Sequence, residues 1–258
     1  MSIAAITLSQ EGANLAERLR TKLPDCDVFV HESVEARPTA KRFSSVRDLT
    51  TSIFHRVTGI VYIAPCGVAV RSVAPHLGTK TSDPAVVVVD VGARWAISLL
   101  SGHEGGANGL AVAVSNILFT EPVISTTTEA LKTLIVGIGC RKGVESEHIV
   151  AAVRSALESE NLSLSEVRLL STADVKADEA GMAQAASELG IPLKLVSSDE
   201  IRNCAFDYQR SDVVERHVDV PAVAEPCALL AGRKTRLVVK RKVFNGVTVA
   251  VARESSLS

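Results

Sequence analysis

Aromatic side chains are scarce: one tryptophan, two tyrosines and six phenylalanines make up 3% of the 258 residues. With so few flat rings and a formal net charge of −1, the chain lacks both the stacking platforms and the positive field that nucleic-acid binding uses. Nucleic acid is therefore not an expected partner. No apolar run approaches the roughly 20 residues needed to span a bilayer. The opening "MSIAAITLSQ" has no basic segment ahead of its apolar residues, so neither a membrane partner nor an export signal is expected and the reading is cytoplasmic. The five cysteines (Cys26, Cys66, Cys140, Cys204, Cys227) are odd in number and contain no CxxC pair. That suits reduced thiols rather than a disulfide framework and gives no zinc motif. Ser101 lacks the GxSxG context of a serine-hydrolase elbow.

Apolar residues are plentiful, at 47%, and a chain of this length can bury a substantial core. "IAAITLS", "DVFVH", "GIVYIA", "PAVVVVD" and "RWAISLL" read as strands. "EGANLAERLRTKL", "SVRDLTTSIFHRV" and "VAVRSVAPHL", the last stopped by Gly78, read as helices. "EARPTAKRF" reads as a basic loop and "EPVISTTTEALKT" as a polar bridge, so a domain boundary is expected near residue 130. The second half restarts with the strand "LIVGIG". Helix "SEHIVAAVRSALES", strand "VRLLST", helix "ADEAGMAQAASELG" closed by Gly190, strand "PLKLV", a capping box in "SSDEI" and helix "PAVAEPCALLAG" follow. Asn245-Gly246 marks a C-terminal hairpin. Alternating strands and helices predict two α/β domains, 1–130 and 131–258, with mostly parallel sheets.

Three strand-to-helix junctions carry the candidate chemistry, because parallel sheets collect ligands where loops enter helices and free N–H groups point outward. In "YIAPCGVAVR" the candidates are Cys66, Gly67 and Arg71; a buried, inert thiol is the plainer account of Cys66. In "LLSGHEGGANGL", Ser101, Gly102, Gly105, Gly106 and Asn108 can line an anion seat at a helix starting near Ala107. There His103 can act as a general base and Glu104 can orient it. A tight turn with a helix-capping histidine is the plainer account. Lys80 and Asp83 can reach the same crevice, or be solvated loop charges, and His76 reads as a structural cap. In "VGIGCRKGVESEH", Gly137, Gly139, Cys140, Arg141 and Lys142 read as an anion cradle with GxGxxxG spacing. No acidic residue closes the following strand "VRLLST", which argues against a dinucleotide. Capping by Asp178 accounts for the charges of "VKADEAG", and a solvated edge accounts for Lys240, Arg241 and Lys242.

"GIVYIAPCGVAVRSVAPHL…KTSDPAVVVVD…RWAISLLSGHEGGANGLA" resembles the N-terminal domain of the CbiG family, cobalt-precorrin-5A hydrolases of anaerobic cobalamin (vitamin B12) biosynthesis. "LIVGIGCRKGVESEHI", "LLSTADVKADEAGMAQAASELGIPLKLVSSDEI" and "VFNGVTVAVAR" resemble its C-terminal domain, which also occurs as the separate protein CobE. Two features depart from the family pattern. "EPVISTTTEA" passes almost directly to "LIVGIGC" where longer members carry a middle segment, and Glu104 stands where the motif has an apolar residue. The resemblance implies opening of a δ-lactone on a cobalt-corrin intermediate and release of acetaldehyde to give cobalt-precorrin-5B. It implies a tetrapyrrole as the small-molecule partner, with cobalt carried by that substrate and no cofactor bound by the protein. Other enzymes of the pathway are candidate partners, and the oligomeric state is left open. Under this reading the three junctions gather around the substrate's carboxylates, with His103 as base and the Gly105 and Gly106 N–H groups as oxyanion donors. One alternative is a non-catalytic protein that binds or hands over the intermediate; a second is a nucleotide-dependent enzyme using "GIGCRKG".

Overall fold

The computed structural model describes residues 2–35, 38–206 and 222–255, so Ala36 and Arg37 of the basic loop and Pro221 of "PAVAEPCALLAG" lie outside it. The chain separates into two compact units, Met1–Thr126 and Thr127–Ser258.

The first unit is a seven-stranded sheet: β1 (Ile3–Thr7), β2 (Cys26–His31), β3 (Lys41–Phe43), β4 (Gly59–Ile63), β5 (Ala85–Val89), β6 (Trp95–Leu100) and β7 (Glu121–Val123). In space the order is β3-β2-β1-β4-β5-β6-β7. Both faces are covered, which is why "GIVYI" and "AVVVV" are buried at every position and show no polar alternation. Val87 and Val89 meet α1 (Gln10–Lys22) and α4 (Ala107–Leu118) on one side. Val86, Val88 and Tyr62 face Phe54 and the apolar sides of α2 (Val46–Ile53) and α3 (Cys66–Val73) on the other. Ser9 and Ser45 start α1 and α2 by accepting from the amides of Gly12 and Asp48.

Every pair in this sheet is parallel except β5 with β6, which are antiparallel; β7 then runs parallel to β6. Two expectations change here. "EARPTAKRF" contributes the edge strand β3, and "EPVISTTTEALKT" contributes β7 and the short helix α5 (Thr127–Ala130), both set by pairing rather than by any apolar run. Helix α3 also gives way to a 3₁₀ turn at Ala74–His76, so Gly78 is not its stop. His76 there bonds Thr51 Oγ1 at 3.1 Å and lies 5.6 Å from the Phe54 ring.

The second unit is a five-stranded sheet of β8 (Leu134–Cys140), β9 (Val167–Ala173), β10 (Leu193–Val196), β11 (Thr235–Phe244) and β12 (Val247–Glu254), in the order β10-β9-β8-β12-β11. Its β8-β9-β10 half is parallel and its hairpin half antiparallel, so this sheet is mixed. Asn245 and Gly246 both take positive φ, 46° and 88°, as a type I′ turn requires. Helices α6 (Ser146–Glu158), α7 (Ala180–Leu189), α8 (Ser198–Arg202) and α9 (Ala224–Leu230) complete the unit. Gly190 ends α7 at φ 65°, and the Ser197–Glu200 capping box opens α8. Helix α9 lies directly on β8: a Cβ on Gly137 would stand 1.9 Å from the Ala224 carbonyl oxygen.

Gly137→Ala should therefore push α9 off the sheet and cost about 1–3 kcal/mol, read as a lower denaturation midpoint of the full chain. Burial raises the Cys26 thiol from 9.0 to about 11 and the Tyr62 phenol from 10.0 to about 12. The unfolded chain sheds these protons first, so stability is full below pH 9 and should fall between about pH 9 and 12, measured as Tm against pH.

Candidate functional site

The reversal of β6 puts its carboxyl end beside Val86, at the start of β5. The loop 101–106 therefore sits at the amino edge of the parallel strands, together with the 78–83 loop that leads into β5. Ser101 leaves the strand in the left-handed region, φ 59°, and is only 6% exposed. Its carbonyl accepts from Ala107 N at 3.1 Å, and that of Gly102 accepts from Asn108 N at 2.9 Å, which folds the loop back over the start of α4. Glycine is obligatory at 105, where a Cβ would stand 2.3 Å from Ser101 Cβ, and at 102, where it would stand 2.6 Å from Thr126 Cγ2. Gly106, φ 85°, caps α4 without a side-chain bond.

Asn108 is buried and turned inward. Its Oδ1 accepts from Ser98 Oγ at 2.8 Å and its Nδ2 donates to Thr126 Oγ1 at 3.0 Å. This corrects its expected role as a substrate contact: it braces the loop. Ser98 and Thr126 are the members of the brace that sequence reading missed. No local spacing links them, because the brace joins β6, α4 and the end of the unit.

His103 is exposed at the tip of the loop. Beside it the Glu104 carboxylate bonds Lys80 Nζ at 2.6 Å, with the two side chains 41% and 72% exposed. The hydrogen bond from Lys80 holds the Glu104 carboxyl below its ordinary range, and the nearby His103 adds to this. Glu104 thus pairs with Lys80 rather than simply orienting His103, and Lys80 is partly neutralised as an anion contact. Asp83 is also corrected: it is buried, and both carboxylate oxygens accept from Gly78 N, at 3.1 and 3.0 Å, so it shapes the turn.

The first junction lies elsewhere. Cys66 and Gly67 start α3 at the carboxyl end of β4, across the sheet from His103, so the two junctions of this unit do not share one crevice. That carboxyl edge is the topological switch point, between β1 and β4, where chain order reverses. Cys66 is an exposed free thiol there, not a buried one. Arg71 folds back to donate to the Gly67 carbonyl at 3.1 Å.

The third junction is in the second unit, and its glycine fingerprint is structural. Gly137, Gly139 and Cys140 belong to β8 itself, with Gly137 and Gly139 admitting α9 and Val223. Burial raises the half-buried Cys140 thiol. Arg141 lies along the hairpin turn, its amide donating to the Gly246 carbonyl at 3.4 Å, and Lys142 is exposed. Beyond the strand, a cavity of about 280 Å³ opens at the amino ends of α6 and α7. Its rim is acidic, with Glu145, Glu147 and Glu179, which disfavours a polyanion. The Gly143 N–H donates to Glu179 at 2.9 Å and, with Lys176, holds that carboxyl below its ordinary range. Glu179, not Asp178, occupies the N-cap of α7. Lys242 pairs with Glu160 at 3.1 Å. Among the described residues no three His, Cys, Asp or Glu side chains cluster as metal ligands.

The brace makes a specific demand on stability. Asn108→Ala leaves the Ser98 and Thr126 hydroxyls without their partner, at a cost of about 1–3 kcal/mol. Chemical denaturation should show that loss.

Two family models match the chain, "Cobalamin synthesis G N-terminal" over residues 48–129 and "Cobalamin synthesis G C-terminus" over residues 134–252. A cobalt-precorrin-5A hydrolase of Priestia megaterium is 25% identical over 353 aligned positions, covering 96% of this chain and 94% of that protein. That span exceeds this chain's 258 residues, so the alignment carries a long gap. A cobalt-precorrin-5A hydrolase of Salmonella typhimurium is 37% identical over 145 residues, 54% of this chain; the match spans only 41% of that protein's length. The solved structure of cobalamin biosynthesis protein chiG from Agrobacterium tumefaciens is 37% identical, with 48% of this chain and 99% of that one covered at a TM-score of 0.39. With both halves matched in order by its N- and C-terminal models, the chain belongs to the CbiG family.

Proposed function

We propose that this chain is a cobalt-precorrin-5A hydrolase acting in the anaerobic route to cobalamin, and that the 101–106 loop is its catalytic corner. The observation that carries the reading is an exposed imidazole, His103, on a loop whose backbone is fixed by two amide bonds and a buried Asn108 brace. A base on a rigid support keeps its geometry without ordering cost during the reaction.

In this reading His103 takes a proton from water, and the resulting hydroxide adds to the lactone carbonyl. The ring C–O bond breaks, leaving a carboxylate on one side and a hydroxyl on the bridging carbon. Loss of that hydroxyl proton forms the aldehyde C=O and breaks the C–C bond to the macrocycle, which keeps the electron pair and takes up a proton. Acetaldehyde leaves with the bridging carbon and its methyl group, so the overall reaction belongs with hydrolases acting on a carbon–carbon bond. The Gly105 and Gly106 N–H groups, ahead of the α4 amides that the Ser101 and Gly102 carbonyls occupy, are the oxyanion donors of this reading. Lys80 holds Glu104 ionised next to His103 in the loop. Cobalt enters as part of the substrate, and the tetrapyrrole is the small-molecule partner.

Incubating the protein with cobalt-precorrin-5A should release acetaldehyde above the uncatalysed rate. His103→Ala should fold normally, since the side chain is exposed, and lose about 10²- to 10⁴-fold in kcat. Tight binding of the intermediate by wild type with no acetaldehyde would replace the hydrolase with a binding or handover protein.

A further inference from the structure

The Lys80–Glu104 ion pair joins two loops that do not need it to keep their shape. Lys80 sits in the 78–83 turn, which closes on itself. There the Asp83 carboxylate accepts from Gly78 N, the Ser82 and Asp83 amides donate to the Thr79 carbonyl at 3.0 and 2.9 Å, and the Ser82 hydroxyl meets Thr79 Oγ1 at 2.9 Å. Glu104 sits in the 101–106 loop, which is held by the Ser101 and Gly102 carbonyls and by the Asn108 brace. With side chains 72% and 41% exposed, the pair itself adds little to folding. Exposure also makes it exchangeable. The Lys80 ammonium carries three N–H donors on a side chain largely open to solvent, and Glu104 Oε1 takes one of them at 2.6 Å. An arriving carboxylate can replace Glu104 one for one, and the charge balance at Lys80 is the same before and after.

We infer that Lys80 is a specificity-determining contact for a carboxylate of the substrate, and that Glu104 holds that carboxylate's place in the free protein. The inference rests on the proposed hydrolase reading, in which a tetrapyrrole polycarboxylate reacts at His103, the residue before Glu104. It goes beyond that reading in naming a second contact and an internal competitor for it. A ligand with no carboxylate in reach of Lys80 leaves the pair intact and gains nothing there, whereas one that reaches it must displace a partner already in place. Removing the competitor therefore strengthens binding, and does so through Lys80.

The test is a double-mutant cycle on the full chain: wild type, Lys80→Gln, Glu104→Gln and the double variant. Each is titrated with uroporphyrin, a tetrapyrrole polycarboxylate, at about 0.15 M salt to screen charges that are not in contact. All four should unfold within about 4 °C of one another, as an exposed pair allows. Glu104→Gln should tighten binding about two- to fivefold, the worth of the displaced pair. Made on Lys80→Gln, the same change should leave affinity where it was. Any other pattern overturns the inference, including equal tightening in both backgrounds, which assigns plain charge repulsion, and no binding by any of the four. A larger loss of thermal stability also overturns it, since the pair is then a structural tie between the loops. Turnover is read separately. If wild type releases acetaldehyde from cobalt-precorrin-5A, the effect of Glu104→Gln should fall on KM, and an effect confined to kcat overturns the exchange. If it releases none, the hydrolase reading fails and the uroporphyrin cycle still decides the exchange.

Discussion

Strand β6 runs against β5, and the place of the 101–106 loop in the first unit follows from that one reversal. Backbone hydrogen bonds fix the register, pairing Leu100 with Val86 and Ala96 with Val89. The chain therefore leaves β6 at the amino edge of the parallel strands, where the turn into β5 delivers Lys80. Had β6 been parallel, its loop would have emerged on the carboxyl edge that carries Cys66. The unit instead has two chemically distinct ends: an exposed thiol at the carboxyl edge, and at the amino edge the His103 imidazole next to the Lys80–Glu104 ion pair.

The amino-edge loop stores cost in one place and recovers it in another. Ser101 adopts a backbone conformation that serine disfavours and buries an unpaired hydroxyl, faults worth on the order of 1–3 kcal/mol each. Against these stand the Ser101 and Gly102 carbonyls closing on α4, and Asn108 bonded on both sides of its amide. Such a loop is stiff without being relaxed. A group held in place beforehand loses little when a ligand arrives, which is the demand that the proposed base would make.

The second unit spends its glycines on packing. At Gly137 the backbone of α9 comes so close that no side chain fits, and Gly139 admits Val223, so the apparent phosphate fingerprint is the footprint of a helix on a sheet. Beyond the strand, two helix amino ends do face a cavity, but carboxylates line it and Glu179 already accepts the Gly143 amide. Charge on that rim works against a ligand bearing several carboxylates.

Much was legible in the residue order. Apolar runs located the buried strands, helical spacing located α1, α4, α6 and α7, and the Asn245-Gly246 pair fixed the hairpin, because each depends on neighbours within a turn or two of chain. Edge strands β3 and β7 were not legible: three residues of no apolar pattern become strands only through a partner's hydrogen bonds. The sequence also singled out "SGHEGG" as a candidate site, since clustered glycines beside an ionisable pair suggest close backbone approach. Strand direction was beyond it. Nothing in "RWAISLL" says that it lies antiparallel to "PAVVVVD", and that direction alone separated Cys66 from His103, gave Glu104 to Lys80, and turned Asn108 inward to Ser98 and Thr126. Local propensity is written residue by residue, whereas which ends of which strands share an edge is settled only when the whole ladder of hydrogen bonds forms.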